Sequence, residues 1–286
     1  MLRHTFLHIP GIGYKTETKL WLGGFISWQD YVEHCDSCST LARRQGEVLR
    51  RLEVSARALA EKDARHFEDS LPSAESWRLY GDFREKTAFV DIETTGLYPG
   101  ADAITVIGVF DGVSARAFVR GVNLEEFAGE IRKYSLLVTF NGKRFDLPFI
   151  RRVFGEFPLL QGHVDLLFPL RRMGFRGGLK RIEVDLGIER EGALKNVDGY
   201  MAVLLWREYK RGNQAALDTL IRYNLEDVVN LQYLADTVYN MAASRLPIPI
   251  EKLPEPRKYV LEHPYDAELV EYLVDQIAAH RFDREY

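Results

Sequence analysis

The chain has 286 residues, 46% of them hydrophobic and 28% charged, with a formal charge of −4. That is enough apolar material for one large domain or a medium domain with a smaller companion, and it argues against a disordered chain. No apolar run approaches bilayer length, the amino terminus lacks the apolar core of a secretory signal, and the two cysteines, Cys35 and Cys38, suit a reducing compartment, so a cytoplasmic protein without a membrane partner is expected.

Residues 1–80 read as helical. Their start, "IPGIGYKTETKLWLGGFISWQDYV", resembles a helix-hairpin-helix, with a turn at Gly11 to Gly13, a helix, a Gly23-Gly24 break and a helix from near Ser27. In such a hairpin Gly11 and Gly13 present backbone N–H groups to a phosphate without reading any base; the plainer alternative is glycine caps between packed helices. The segment "HCDSC" offers at most three closely spaced ligands, with no second pair to complete a zinc site.

Residues 81–244 change texture. Four short β-rich runs, "TAFVDIE", "AITVIGVF", "ARAFVRG" and "LLVTF", are separated by turn residues, and a fifth strand is expected at "HVDLL" among the helical segments that follow. Three strands, a helix, a strand, a helix, a strand and then helices is an α/β order. Residues 245–286 read as a proline-bearing extended strap and a last amphipathic helix.

Two acids, Asp91 and Glu93, end the first of these strands. Residues two apart in a strand share a face, roughly 6.6 Å apart, so the two carboxylates point together and repel unless a cation or proton sits between them. Asp146 follows the fourth strand and the Asn141-Gly142 turn, at the start of a helix, where it either complements the helix dipole or reaches toward the first two acids. In "DTLIRYNLEDVVNL", Tyr223 and Asp227 stand one turn apart on a flank of the stripe formed by Leu217, Leu220, Ile221, Val228 and Leu231. Each feature alone has an ordinary explanation as a solvated or packed side chain.

Together, "FVDIETTGL", "FNGKRFDLPF" and "YNLEDV" resemble the three motifs of the DEDD superfamily, the RNase H-like 3′–5′ exonucleases. The second and third look most like those of family B DNA polymerase proofreading domains. From Gly81 to roughly Thr237, including "GLKRIEVDLGI", the chain is similar to YprB-like RNase H-like proteins. The resemblance implies an RNase H-like mixed five-stranded sheet flanked by helices. No histidine lies between His163 and His263, so the tyrosine branch of the superfamily follows, with Tyr223 in the Y-x-x-x-D spacing.

The implied activity is 3′–5′ exonucleolytic hydrolysis of DNA or RNA, on a single strand or 3′ end, with two divalent cations. The all-oxygen donor set of Asp91, Glu93, Asp146 and Asp227 favours Mg²⁺ or Mn²⁺. Following the resemblance, Asp91 bridges both ions, Glu93 and Asp227 complete one, Asp146 holds the other through water, and Tyr223 orients the attacking water. Between Lys143 and Arg181, nine basic residues face three acids, Asp146, Glu156 and Asp165. Within that stretch "RRMGFRGGLKR" offers Arg171, Arg172, Arg176, Lys180 and Arg181 for phosphates and Phe175 for stacking, the alternative being a solvated basic loop. Asn141 and Phe145 are expected at the terminal nucleotide. A non-catalytic nucleic-acid-binding module and a structure-specific endonuclease on the same fold are the competing readings. The metal reading requires that the four acids converge and that no arginine or lysine already occupies them.

Overall fold

A computed structural model describes residues 1–155, 161–190 and 192–282; Glu156, counted above among the acids, lies outside them. The helices α1 (Tyr14–Leu22), α2 (Trp28–His34), α3 (Gln45–Ala60), α4 (Ala64–Glu68) and α5 (Trp77–Phe83) precede the sheet. The Gly11–Gly13 turn leads straight into α1, and a single 3-10 turn, Leu2–His4, stands before it. Ser27 and Asp30 form a reciprocal capping box that starts α2.

The sheet comprises β1 (Thr87–Thr94), β2 (Ile104–Phe110), β3 (Ala115–Val119), β4 (Leu136–Thr139) and β5 (Gly162–Asp165), in the order β3-β2-β1-β4-β5. The pairs β1–β2 and β2–β3 are antiparallel, whereas β1–β4 and β4–β5 are parallel. This is the expected mixed five-stranded sheet. Between and after its strands come α6 (Phe127–Ile131), α7 (Asp146–Phe154), α8 (Leu167–Met173), α9 (Leu179–Asp185), α10 (Gly199–Lys210), α11 (Gln214–Ala243) and α12 (Ala267–Phe282).

Strand alternation divides the core. Ala88, Val90 and Ile92 of β1 pack with Phe127 and Ile131 of α6 and with Leu147, Phe149 and Ile150 of α7. Phe89 lies in a separate core with Val228, Leu231 and Leu234 of α11 and with the amino-terminal helices. Asp91 and Glu93 share the parity of Phe89 and so belong to the α11 side. At 30 residues α11 runs about 45 Å and spans the sheet.

The amino-terminal helices lie against the β5 edge. Gly162 meets Ala64 of α4 so closely that a Cβ there would stand 2.7 Å from it, which permits the helix to cover the edge. The same hydrophobic core runs without interruption from Leu2 to Ile248. The stretch "RRMGFRGGLKR" is the end of α8, a five-residue connection and the start of α9: α8 stops before Gly174, whose φ of 104° favours glycine, and α9 begins at Leu179.

Candidate metal centre

In β1 the parallel register with β4 covers only Thr87 to Phe89, so the strands part toward their carboxyl ends and a cleft of about 600 Å³ opens there. Open α/β sheets commonly bind ligands at this place, just beyond the strand ends. Asp91, Glu93, Asp146, Tyr223 and Asp227 all line the cleft, together with Asn141, Phe145 and Lys180. One oxygen from each of Asp91, Glu93 and Asp227 lies within 4.8 Å of the others.

Each acid is placed by local structure. Asp91 accepts from Asn224 Nδ2 of α11 at 3.0 Å, and the same amide reaches the Asp91 carbonyl at 3.3 Å. Opposite Asp91 in the ladder stands Gly108; a Cβ there would lie 2.3 Å from Asn224 Oδ1, so only glycine lets this amide approach. Asp146 is positioned by the turn after β4. Asn141 takes a left-handed φ of 63°, and Asp165 at the end of β5 accepts from its N–H at 2.7 Å and from Lys143 N–H at 3.1 Å. That turn starts α7 with Asp146, whose charged form is favoured by its own backbone N–H and that of Ile92. Tyr223 and Asp227 are buried on α11, only 6% and 4% exposed, rather than solvated on its flank.

Burial raises the pKa of Asp91 well above the usual carboxylate range, with Asp227 and Asp146 adding to it; burial and the same two neighbours act likewise on Glu93. Asp146 is pushed up to about 7, chiefly by burial. Burial, then Asp227, also raises Tyr223, keeping its phenol neutral at ordinary pH. Lys180, with its ammonium 5.1 Å from the Tyr223 ring centre, is lowered by burial and by Arg190.

The donor set fits a hard divalent cation: it consists of carboxylate oxygens, it converges, and Asp146 Oδ1 is buried without a hydrogen-bond partner. The requirement of freedom from basic partners is met by Asp91, Glu93 and Asp146, none of which makes an ion pair among the described residues. Asp227 departs from it. Arg190 Nη2 touches Asp227 Oδ1, although that oxygen has no partner with hydrogen-bond geometry. The contact is therefore Coulombic rather than directional, and Arg190 shares its charge with Glu183.

The other basic residues of that stretch lie outside the cleft lining. Arg172 Nε meets Glu75 at 3.1 Å and its guanidinium sits 4.3 Å from the Tyr14 ring centre. Arg176 donates to the carbonyls of Arg171 and Phe175, Arg181 pairs with Asp185 one turn on, and Arg171 is exposed. Phe175, expected as a stacking surface, instead packs against the hydrophobic core. Gly11 has the Arg44 guanidinium beside it, while Gly13 caps α1 and faces open space.

Arg190 and Asn224 escaped the sequence reading. Asn224 carried a signal, for it occupies the buried stripe four residues from both Leu220 and Val228, where a polar side chain needs a partner. Arg190 carried none, since its partners come from α9 and α11.

Residues 88–239, over half of the chain, match the RNase_H superfamily. The uncharacterized protein YprB of Bacillus subtilis (strain 168) is 30% identical over 166 residues, which are 50% of this chain and 39% of that protein. The chain thus spans well under half of this curated relative's length. Brucella melitensis NrnC bound to pGG has a TM-score of 0.41 and 22% identity, covering 58% of this chain and 77% of NrnC. The family B DNA polymerase of Pyrobaculum calidifontis has a TM-score of 0.39 and 17% identity, covering 55% of this chain and 24% of the polymerase. By the extent of its match, with a mixed sheet and an acid-lined cleft at the strand ends, the chain belongs to the RNase_H superfamily.

Proposed function

We propose that the chain is a tyrosine-type 3′–5′ exonuclease that hydrolyses phosphodiester bonds of DNA or RNA, with Asp91, Glu93, Asp146 and Asp227 holding two Mg²⁺ or Mn²⁺ ions. The observation that carries this reading is the meeting of Asp91, Glu93 and Asp227 oxygens in one cleft with Asp146 and Tyr223. Four acids brought together from β1, α7 and α11 gain nothing for the fold, because like charges in a buried site repel. When bound, the ions would supply Lewis-acid activation of water and neutralise charge on the phosphate and the leaving oxygen.

The chain's own groups do the remainder. Tyr223, neutral through burial, donates a hydrogen bond that orients the attacking water. Asn224 keeps Asp91 fixed. Asn141 and Phe145 line the wall where the terminal nucleotide would lie, and Lys180 supplies a cation for its phosphate. Water adds to phosphorus, the bond from phosphorus to the 3′ oxygen breaks, and that oxygen takes a proton, releasing a nucleoside 5′-monophosphate.

The Arg190 contact with Asp227 favours a second reading, a binding module in which an arginine replaces the ions. Labelled single-stranded DNA, duplex DNA and RNA, each with Mg²⁺ or Mn²⁺, separate the two when linear and circular forms are compared. An exonuclease shortens linear strands progressively and leaves circles intact, and Asp91→Ala or Asp227→Ala lowers the rate by about 10³-fold or more. No cleavage together with no calorimetric Mn²⁺ binding would support the module, and cut circles an endonuclease.

A further inference from the structure

We infer that Arg190 is a further catalytic residue, a clamp for the phosphodiester at the metal centre, and this rests on the nuclease reading above. Arg190 is only 4% exposed and reaches the cleft after a tight turn. Gly187, with φ +73°, ends α9, and Ile188 N–H bonds back to the Glu183 carbonyl at 2.8 Å, so the chain reverses and brings Arg190 beside the Glu183 side chain.

A guanidinium has two edges that can each grip a planar anion. Its side edge is taken: Nε and Nη2 donate to Glu183 Oε2 and Oε1 at 2.7 and 2.9 Å. Glu183 is itself held by Asn230 Nδ2 of α11 at 3.0 Å, so the fork is fixed from behind. The end edge, Nη1 and Nη2, is not satisfied. Among the described residues Nη1 is buried without any hydrogen-bond partner, and Nη2 meets Asp227 without hydrogen-bond geometry. Buried donors left unpaired are rare, and here the missing acceptor belongs in a cleft lined with metal-ligand oxygens.

A non-bridging phosphate oxygen supplies that acceptor. A phosphodiester held at ions on Asp227 would lie within reach of the arginine that already touches the same carboxylate. With Asp227 holding a cation, its attraction for Arg190 would weaken and leave the fixed end edge free for the phosphate, where two directional donors would stabilise the charge that grows in the transition state. Lys180, which also lies near the Tyr223 ring, lacks the fork needed for this grip.

The test compares wild type, Arg190→Gln and Arg190→Lys by three readouts: thermal unfolding, calorimetric Mn²⁺ binding, and cleavage of a labelled single strand. The clamp predicts that Arg190→Gln binds Mn²⁺ as tightly as wild type or tighter, because a competing cation is gone, yet cleaves about 10²-fold or more slowly. Arg190→Lys should regain no more than about a tenth of the wild-type rate, since an ammonium cannot replace the fork. If wild type binds Mn²⁺ but cleaves nothing, the nuclease reading falls and takes the clamp with it. If wild type cleaves and Arg190→Gln keeps its rate, the clamp alone is overturned. A parallel loss of Mn²⁺ affinity and rate in both variants also overturns it, by showing that Arg190 only positions Asp227. Should Arg190→Gln fail to fold, Arg190→Lys is judged by the same pairing of rate and affinity.

Discussion

Arg78 and Arg190 are both buried arginines set between two carboxylates, and their surroundings differ in completeness. Arg78 donates through Nε to Glu75 at 2.7 Å and through Nη1 to Glu17 at 2.9 Å, while its guanidinium lies 5.6 Å from the Trp77 ring centre. Glu17 also accepts from the Thr5 hydroxyl and from the N–H groups of Phe6 and Leu7. No atom of Arg78, Glu17 or Glu75 is among the buried groups left unpaired. Around the cleft, by contrast, Asp146 Oδ1, Asp227 Oδ1, Asn224 Oδ1 and Arg190 Nη1 are all buried without a hydrogen-bond partner. Closed on itself, the first cluster ties the amino terminus, α1 and α5 into one body. Open toward the cleft, the second is arranged for something that enters.

The largest expected effect breaks the closed cluster. Arg78→Met leaves buried Glu17 without its cation and Glu75 with only Arg172, and should cost about 3–5 kcal/mol, read as a fall of roughly 10 °C in Tm. Added Mn²⁺ should recover none of that specific loss. For Arg190→Gln the expectation reverses: ions can neutralise the acids that the arginine faced, so saturating Mn²⁺ should recover most of what the metal-free variant loses. Equal and unrecoverable losses in both variants would mean that the cleft is a structural cluster like the other.

Next in size is the response of the wild-type protein to the cation alone. A ligand that binds only the folded state at about 100 times its Kd adds roughly 2.7 kcal/mol. Mn²⁺ at pH 8 should therefore raise the Tm by several degrees, and Asp91→Asn should abolish the rise without disturbing the Arg78 cluster. A rise that survives Asp91→Asn would locate the ion elsewhere.

The two clusters also differ in how far the sequence revealed them. The acids of β1 were legible because a two-residue alternation assigns Asp91 and Glu93 to one face, and Tyr223 with Asp227 because a helix turn stacks residues four apart. Asp146 could be read from the turn preceding α7. Arg78 lies 61 residues from Glu17, and the amphipathic pattern of residues 1–80 shows which faces are apolar without showing which charges meet inside. Arg190 likewise depends on the Gly187 reversal and on Asn230 behind Glu183, contacts that no local period encodes. The basic stretch disperses for a related reason: its residues are close in sequence, but of its basic side chains only Lys180 lines the cleft, while Arg172 and Phe175 turn to the amino-terminal helices and the core.

A pH dependence sharpens the contrast at a single carboxyl group. Burial pushes Asp146 up to about 7, with Asp165 and Asp227 adding to it and two backbone N–H groups opposing. In the unfolded chain the same group titrates near ~3.9, so between about pH 4 and pH 7 the folded state binds the extra proton and stability falls as pH rises. Asp146→Asn removes that liability. In EDTA, the variant should match wild type near pH 4 and exceed it at pH 8, by at most the roughly 4 kcal/mol to which about three pKa units convert. With saturating Mn²⁺ the order should invert at pH 8, because the wild-type carboxylate then has a cation to face and the amide does not. A wild-type curve in EDTA that rises relative to the variant across this window would mean that Asp146 is already charged and compensated, and the open cleft would then have one acid fewer awaiting a ligand.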